Sequence, residues 1–351
     1  MRKKIILTLF CSVCLIFVLT AGSLMAASTK PTPGVIELRL SHNTTTKAPL
    51  HLVLDKWAKK VEEQTQGRVK ITIYPAESLH SLKDAYPSTI GGICDIAFAA
   101  IAYEPVRWGL NNVLNQTFVG APVDKRGVLL WDKLWDKFPE VKAEFKDLKV
   151  LWHWIGMPNS LHTTKKKVRV PDDIRGMKIL VGPAHAGLLR RAGANPVVTT
   201  MAEYYMVLER GLGEGVLTSY IIAQIVGFDK LTPYHLSIKT GAYAFSMIMN
   251  LDKWNSLPPD IQKIIDGLSP WATDLVWTAF VQSDAETERK WRELGHTVVD
   301  PTPEELRLWL DLGLSEAQEW IKKIESPVKP ARAVFEEAVG LSKEYRSKGI
   351  Q

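Results

Sequence analysis

The chain is poor in side chains that could do chemistry together. It contains eight histidines, but none in an H-E-x-x-H or other close paired-ligand spacing. A lone histidine such as His153 is therefore expected to be a satisfied buried group. Of the three cysteines, Cys11 and Cys14 lie in the apolar leader, which leaves Cys94 unable to form an intramolecular disulfide or a cysteine metal cluster. There is no G-x-S-x-G elbow and no P-loop. Gly211-Leu-Gly213-Glu-Gly215 has the wrong spacing for a dinucleotide fingerprint, and a helix rather than a strand precedes it. No catalytic group, cofactor or metal set can be assembled from these residues, so an enzyme is not expected. The residue types that remain belong to binding, chiefly tyrosine, tryptophan and phenylalanine near the expected ends of strands.

The elements that must position them follow from hydrophobic periodicity. Ile36 opens an alternating strand that ends in the polar loop His42-Asn43-Thr44. Leu50, Val53, Leu54, Trp57 and Val61 recur at helical spacing, and Val69, Ile71 and Ile73 alternate again. A helix around residues 83–90 leads to a short buried strand at 95–100. This βαβαβ order predicts an α/β fold with parallel-dominated sheets and helices on both faces. Val128, Trp131, Leu134, Trp135 and Phe138 form a core-facing stripe, and residues 149–155 form the next strand and the first crossing between domains. Lys165, Lys166 and Lys167 are read as a solvated loop.

Residues 168–215 contain two strand–helix units. Strand 177–181 is broken by Gly182-Pro183, and the run 197–200 leads to Thr200-Met-Ala-Glu203, a capping-box pattern. Residues 216–226 are apolar and expected to be helical, and residues 234–250 to recross the domains as one or two strands. Residues 258–294 predict one very long helix, kinked or interrupted at Pro270, and Thr302-Pro-Glu-Glu305 is a second capping box. Strand ends and helix N-termini gathered at one edge are where such folds usually hold ligands.

Length and composition fit two globular domains. Arg2, Lys3 and Lys4, an apolar run from Ile5, and Leu24-Met-Ala26-Ala27 have the layout of a secretory signal peptide over residues 1–26, cleaved near Ala26 or Ala27. Its removal lowers the formal charge from +6 to +3. That residue of charge, spread along the chain, gives no reason to expect nucleic acid.

Several segments together resemble the extracytoplasmic solute receptors of TRAP (tripartite ATP-independent periplasmic) transporters, of the dicarboxylate-receptor type. They are Leu38-Arg-Leu-Ser-His, Gly67-Arg-Val-Lys-Ile-Thr-Ile-Tyr-Pro-Ala, Asp95-Ile-Ala-Phe, Asp173-Ile-Arg-Gly-Met-Lys-Ile and Gly193-Ala-Asn-Pro-Val. Ala202-Glu-Tyr-Tyr, Leu208-Glu-Arg-Gly and the run from Met249 to Gln262 complete the set, so that the likeness covers residues 38–266. The resemblance implies a two-lobed periplasmic binding-protein fold with crossing strands and one long helix spanning both lobes. The expected lobes are 36–150 with 238–270, and 151–237 with 271–345. It also implies a periplasmic monomer or dimer that captures a small molecule between the lobes and delivers it to TRAP permease subunits, with import driven by an ion gradient. A ligand sensor or scaffold derived from such a receptor is the alternative.

Members that bind organic acids carry an arginine in the strand after the Gly-Leu-Lys-like turn, where it clamps the substrate carboxylate. Here that position is Leu180, and Gly156-Met-Pro-Asn-Ser-Leu-His, where a second arginine often follows, has no strongly basic side chain. Either another donor (Lys178, Arg107 or His42) supplies the charge, or the ligand is not a simple carboxylate. The candidate ligand-binding residues are His42, Asn43, Tyr103, Trp152, Trp154, Leu180, Gly182, Glu203, Tyr204, Ser219, Tyr220, Tyr243 and Phe245. Glu203 is also explained by its capping role. If several of the aromatic residues line the cleft, an aromatic, amphipathic or cationic ligand is favoured through stacking or cation–π contact.

Overall fold

The structure is a computed structural model and describes residues 34–327 and 329–347. The expected signal peptide and its cleavage site lie outside the described residues. Among those described, no helix is long and apolar enough to cross a membrane.

The chain builds two sheets. The first draws on β1 (Ile36–Ser41), β2 (Val69–Tyr74), β3 (Ile96–Ala100) and β4 (Leu148–Ile155). The second draws on β5 (Ser160–Thr163), β6 (Lys178–Val181), β7 (Asn195–Val198), β8 (Gly215–Thr218) and β9 (Tyr234–Leu236). β10 (Ala244–Asn250) then returns to the first sheet and β11 (Thr297–Val299) to the second. The orders are β2-β1-β3-β10-β4 and β11-β9-β5-β8-β6-β7. β1 runs parallel to β2 and β3, while β10 lies antiparallel between β3 and β4. In the second sheet β5 is the reversed strand, antiparallel to β8 and β9. Each sheet is thus parallel in its βαβ portion and takes its reversed strand from a crossing.

The crossings explain the reversal. One runs from β4 to β5 and the other from β9 back to β10. They are tied to each other by Gly156 N–H to Tyr243 O at 2.8 Å, Asn159 N–H to Gly241 O at 2.7 Å and Thr240 N–H to Asn159 O at 3.0 Å. The first crossing begins only after Ile155, so β4 belongs whole to the first lobe, beyond the expected boundary at residue 150. The last helix, Ala331–Ser347, packs on helix Lys125–Lys137 and joins the first lobe's core rather than the second lobe's.

Helix Pro49–Gln64 buries the expected stripe Leu50, Val53, Leu54, Trp57 and Val61 against the first sheet, with Pro49 in its first turn, where a missing N–H costs nothing. Trp131 and Trp135 both donate their indole N–H to Asn111 Oδ1, at 2.8 and 2.9 Å, inside the core. The apolar run from Val216 begins as strand β8, and its helix starts only at Tyr220. A short, fully apolar run has no period to separate a buried strand from a buried helix.

The long helix is divided. Pro259–Gly267 ends at Leu268, and a new helix, Ser269–Trp277, carries Pro270 in its first turn. That helix passes through a π-helical turn, Thr278–Gln282, into Ser283–Glu293. Its first part packs on β4 and on helix Pro49–Gln64; its last part packs on helix Tyr220–Val226. It therefore spans both lobes. The capping box at Thr302 forms in both directions, Glu305 N–H to Thr302 Oγ1 at 3.3 Å and Thr302 N–H to Glu305 Oε2 at 2.8 Å. The one expected at Thr200 does not: Thr200 is the N-cap, but its side chain makes no capping bond.

Candidate functional site

Strand ends of both sheets and the two crossings enclose a cavity of about 870 Å³, its mouth included. Its floor is aromatic. β10 lies between β3 and β4, and the pairing Phe245–Trp154 and Met247–Phe98 brings three rings to one face. Their centroids are 5.2 Å (Phe98–Phe245), 5.5 Å (Trp154–Phe245) and 5.7 Å (Phe98–Trp154) apart. Phe280, from the π-helical turn, closes one side; such turns recur at functional positions because they re-aim a side chain within a helix.

Tyr103, Tyr204 and Tyr243 bring three phenols to the same space. Burial holds all three neutral: it pushes Tyr103 up to about 12, with a smaller push from Glu77, and Tyr204 and Tyr243 well above the usual tyrosine range. The Tyr243 hydroxyl has no partner of ordinary hydrogen-bond geometry, although the Ala184 backbone lies near enough to ease its ionisation slightly. Asn43 Oδ1, also on the lining, is buried without a partner. Of the twenty lining residues none carries a charge.

The segments that build this cavity match, over residues 40–323, the family described as bacterial extracellular solute-binding protein, family 7. The chain belongs to that family. It is the TRAP solute-receptor family, whose members are extracytoplasmic transport proteins rather than enzymes. A solute-binding protein of Chromohalobacter salexigens is 28% identical over 185 residues, 52% of this chain and about half (54%) of the relative's length. The 2,3-diketo-L-gulonate-binding periplasmic protein of Escherichia coli is 22% identical over 69% of this chain and 74% of its own. A TRAP solute-binding protein of Rhodoferax ferrireducens, solved with copurified benzoate, superposes with a TM-score of 0.80 at 20% identity, covering 90% of this chain and 100% of that one.

Within this family-7 fold the candidate residues divide. Asn43, Tyr103, Trp154, Gly182, Tyr204, Ser219, Tyr243 and Phe245 line the cavity. Trp152 does not. It lies on the same face of β4 as Trp154, but two residues deeper, where it packs on Trp57 with centroids 4.8 Å apart. Leu180 does not either. Alternation along β6 turns it away from Ile179 and Val181 into a core with Tyr204, Leu208 and Val216, and Cδ1 would sit 2.2 Å from a Cβ on Gly213. Glu203 is exposed, because the inward face of its helix carries Met201, Tyr204 and Leu208. Tyr220 is buried behind the cavity, its ring 4.9 Å from His162 and 5.5 Å from Trp291; its hydroxyl has no partner of ordinary hydrogen-bond geometry.

His42 is engaged elsewhere. Thr44 N–H donates to its Nδ1 at 3.1 Å, so Nε2 carries the proton and donates to His51 Nδ1 at 3.0 Å. Burial, then the neighbouring His51, lowers His42 to about 4. Nor do the other proposed cations reach the cavity. Arg107 pairs with Asp147 and lies over the Tyr86 ring at 4.7 Å, and Lys178 is exposed at the opposite end of β6.

The sequence reading missed Phe98, Asn159, Met157, Met201, Thr218, Ile222 and Phe280, among others. Phe98 was within reach, since it lies in the strand already assigned as buried. Phe280 was not, because a π turn has no sequence period of its own. His153 is buried as expected, with Nε2 3.1 Å from Asp132, but its Nδ1 has no partner. Folding also lines up three histidines far apart in sequence: His162 Nδ1 is 2.8 Å from His235 Nδ1, and His235 Nε2 is 2.9 Å from His296 Nδ1. Among the described residues no group of three or more potential ligands could hold a metal ion.

Proposed function

We propose that this TRAP receptor captures an uncharged, ring-bearing solute between its lobes and delivers it to the membrane subunits of a TRAP-type transporter. One observation carries the reading: a cavity lined by twenty residues, seven of them Phe, Tyr or Trp, without a single charge. A carboxylate enclosed there would lose its hydration without gaining an ionic partner, at a cost of several kcal/mol. A ring burying about 150 Å² of apolar surface would gain roughly 4 kcal/mol. The position at which the resemblance places a clamping arginine is Leu180, which lies in the core, so no cation takes over that role at the cavity wall.

Titration calorimetry with benzoate, benzyl alcohol and phenol tests this. The uncharged rings should bind, and at one hundred times Kd stabilise the fold by about 2.7 kcal/mol. Benzoate should bind at least tenfold more weakly. Benzoate binding more tightly than either alcohol would overturn the reading. Native mass spectrometry of protein purified from its own periplasm should show a neutral adduct.

A further inference from the structure

Asn159 lines the cavity from the first crossing and is held rigidly. Its backbone N–H and C=O are both bonded to the second crossing, at Gly241 and Thr240. Its side-chain Nδ2 lies 2.8 Å from His185 Nδ1, and both residues are buried. An amide NH₂ can only donate, so Nδ1 is the acceptor and a neutral ring carries its proton on Nε2.

The ring is neutral and packed in place. Burial lowers His185 to about 4, so the ring has one proton to place. The backbone carbonyl of Asn115 favours a proton on the ring, although nothing comes within ordinary hydrogen-bond geometry of Nε2. With Nδ1 taken by Asn159, that proton is the Nε2 one. The ring is pinned by Tyr243, whose centroid is 5.0 Å away, and a Cβ on Gly241 would stand 3.4 Å from Nε2. With Nδ2 engaged by His185, Oδ1 is the end of the Asn159 amide left for a ligand in the cavity. On the first-lobe side Asn43 offers a second amide carbonyl on the same lining, without a protein partner.

We infer that the solute carries a hydroxyl or amide N–H that Asn159 Oδ1 accepts, and that His185 is the positioning residue that fixes this acceptor. The inference rests on the uncharged-solute reading and sharpens it: the site selects donors. An ether or ester of the same shape that fills the cavity covers the Asn159 carbonyl without pairing it, the condition under which polar groups discriminate most strongly.

The test is calorimetry on the full mature chain with two ring-matched pairs, phenol against anisole and benzyl alcohol against benzyl methyl ether. The alcohols should bind at least tenfold more tightly than the ethers. In Asn159→Leu the alcohol-to-ether ratio should collapse toward one. In His185→Phe, which keeps a buried ring but loses the acceptor, the ratio should narrow as well, a change that loss of packing alone would not produce. Should His185→Phe fail to fold, the wild-type ratio and Asn159→Leu decide. Equal affinity for alcohol and ether in the wild type, or a preference that survives Asn159→Leu, overturns the inference. If benzoate outcompetes all four probes, or none of the four binds, it is the uncharged-solute reading that falls.

Discussion

The Tyr243 hydroxyl lies 2.3 Å from where a Cβ on Gly182 would stand. Gly182 has φ −74°, a conformation open to any residue, so its lack of a side chain serves space and not backbone freedom. Gly182→Ala should push the phenol out of its place beside His185. The expected cost is about 1–3 kcal/mol of stability, as for overpacking generally. Probe affinity should fall at least tenfold. A thermal melt and a phenol titration on the same sample check both; unchanged affinity would mean that Tyr243 does not shape the site.

Leu180→Arg separates position in sequence from position in space. Leu180 is fully buried among Tyr204, Leu208 and Val216. An arginine there would be an unpaired buried charge, with an expected loss of roughly 3–5 kcal/mol. The variant should express poorly or melt early, and should gain no affinity for benzoate. A well-folded Leu180→Arg that binds benzoate would show that the β6 side chain can swing to the cavity.

Trp152 and Trp154 share a face of one strand and differ only in depth. Either tryptophan replaced by alanine should cost about 3–5 kcal/mol. Only Trp154→Ala should also weaken probe binding, because Trp152 packs on Trp57 and not on the cavity. Parallel urea melts and titrations distinguish them.

Buried histidines should make the fold acid-sensitive. Burial lowers His42 and His185 to about 4, His162 to about 3 and His235 to about 2, with neighbouring histidines adding to the effect at His42, His162 and His235. In the unfolded chain each titrates near 6.5. Between pH 6.5 and 4 the unfolded state therefore binds more protons, and stability present above pH 6.5 is lost as the pH falls. Asp284 works the other way. Burial raises it to about 7, so its contribution is fully present below about pH 3.8 and is lost as the pH rises through 7. Glu104, Glu144 and Glu316, which burial also raises, act with Asp284 but through smaller shifts, so the four histidines leave a net loss of stability on acidification. Urea midpoints from pH 7.5 to 4.5 should fall steadily. Asp284→Asn, which keeps the acceptor for Ile221 N–H, should steepen the fall.

What the sequence determined by itself was whatever depends on near neighbours in the chain. Alternation and helical spacing placed β1, β2, β4 and helix Pro49–Gln64, proline and glycine marked their ends, and the order of short segments identified the receptor family. The aromatic character of the cleft was legible too, since Tyr103, Trp154, Tyr243 and Phe245 stand at strand ends. Tertiary structure decided which side of each element faces the ligand. Leu180, where the resemblance implies a clamping residue, lies against Gly213, because β6 pairs between β7 and β8 in a register that turns it inward. Trp152 and Trp154 differ only by two residues of depth. Asn159 and His185 lie 26 positions apart and meet because the end of the first crossing packs against the turn that follows β6. Local periodicity says which residues share a face; only the packing of distant segments says what that face meets.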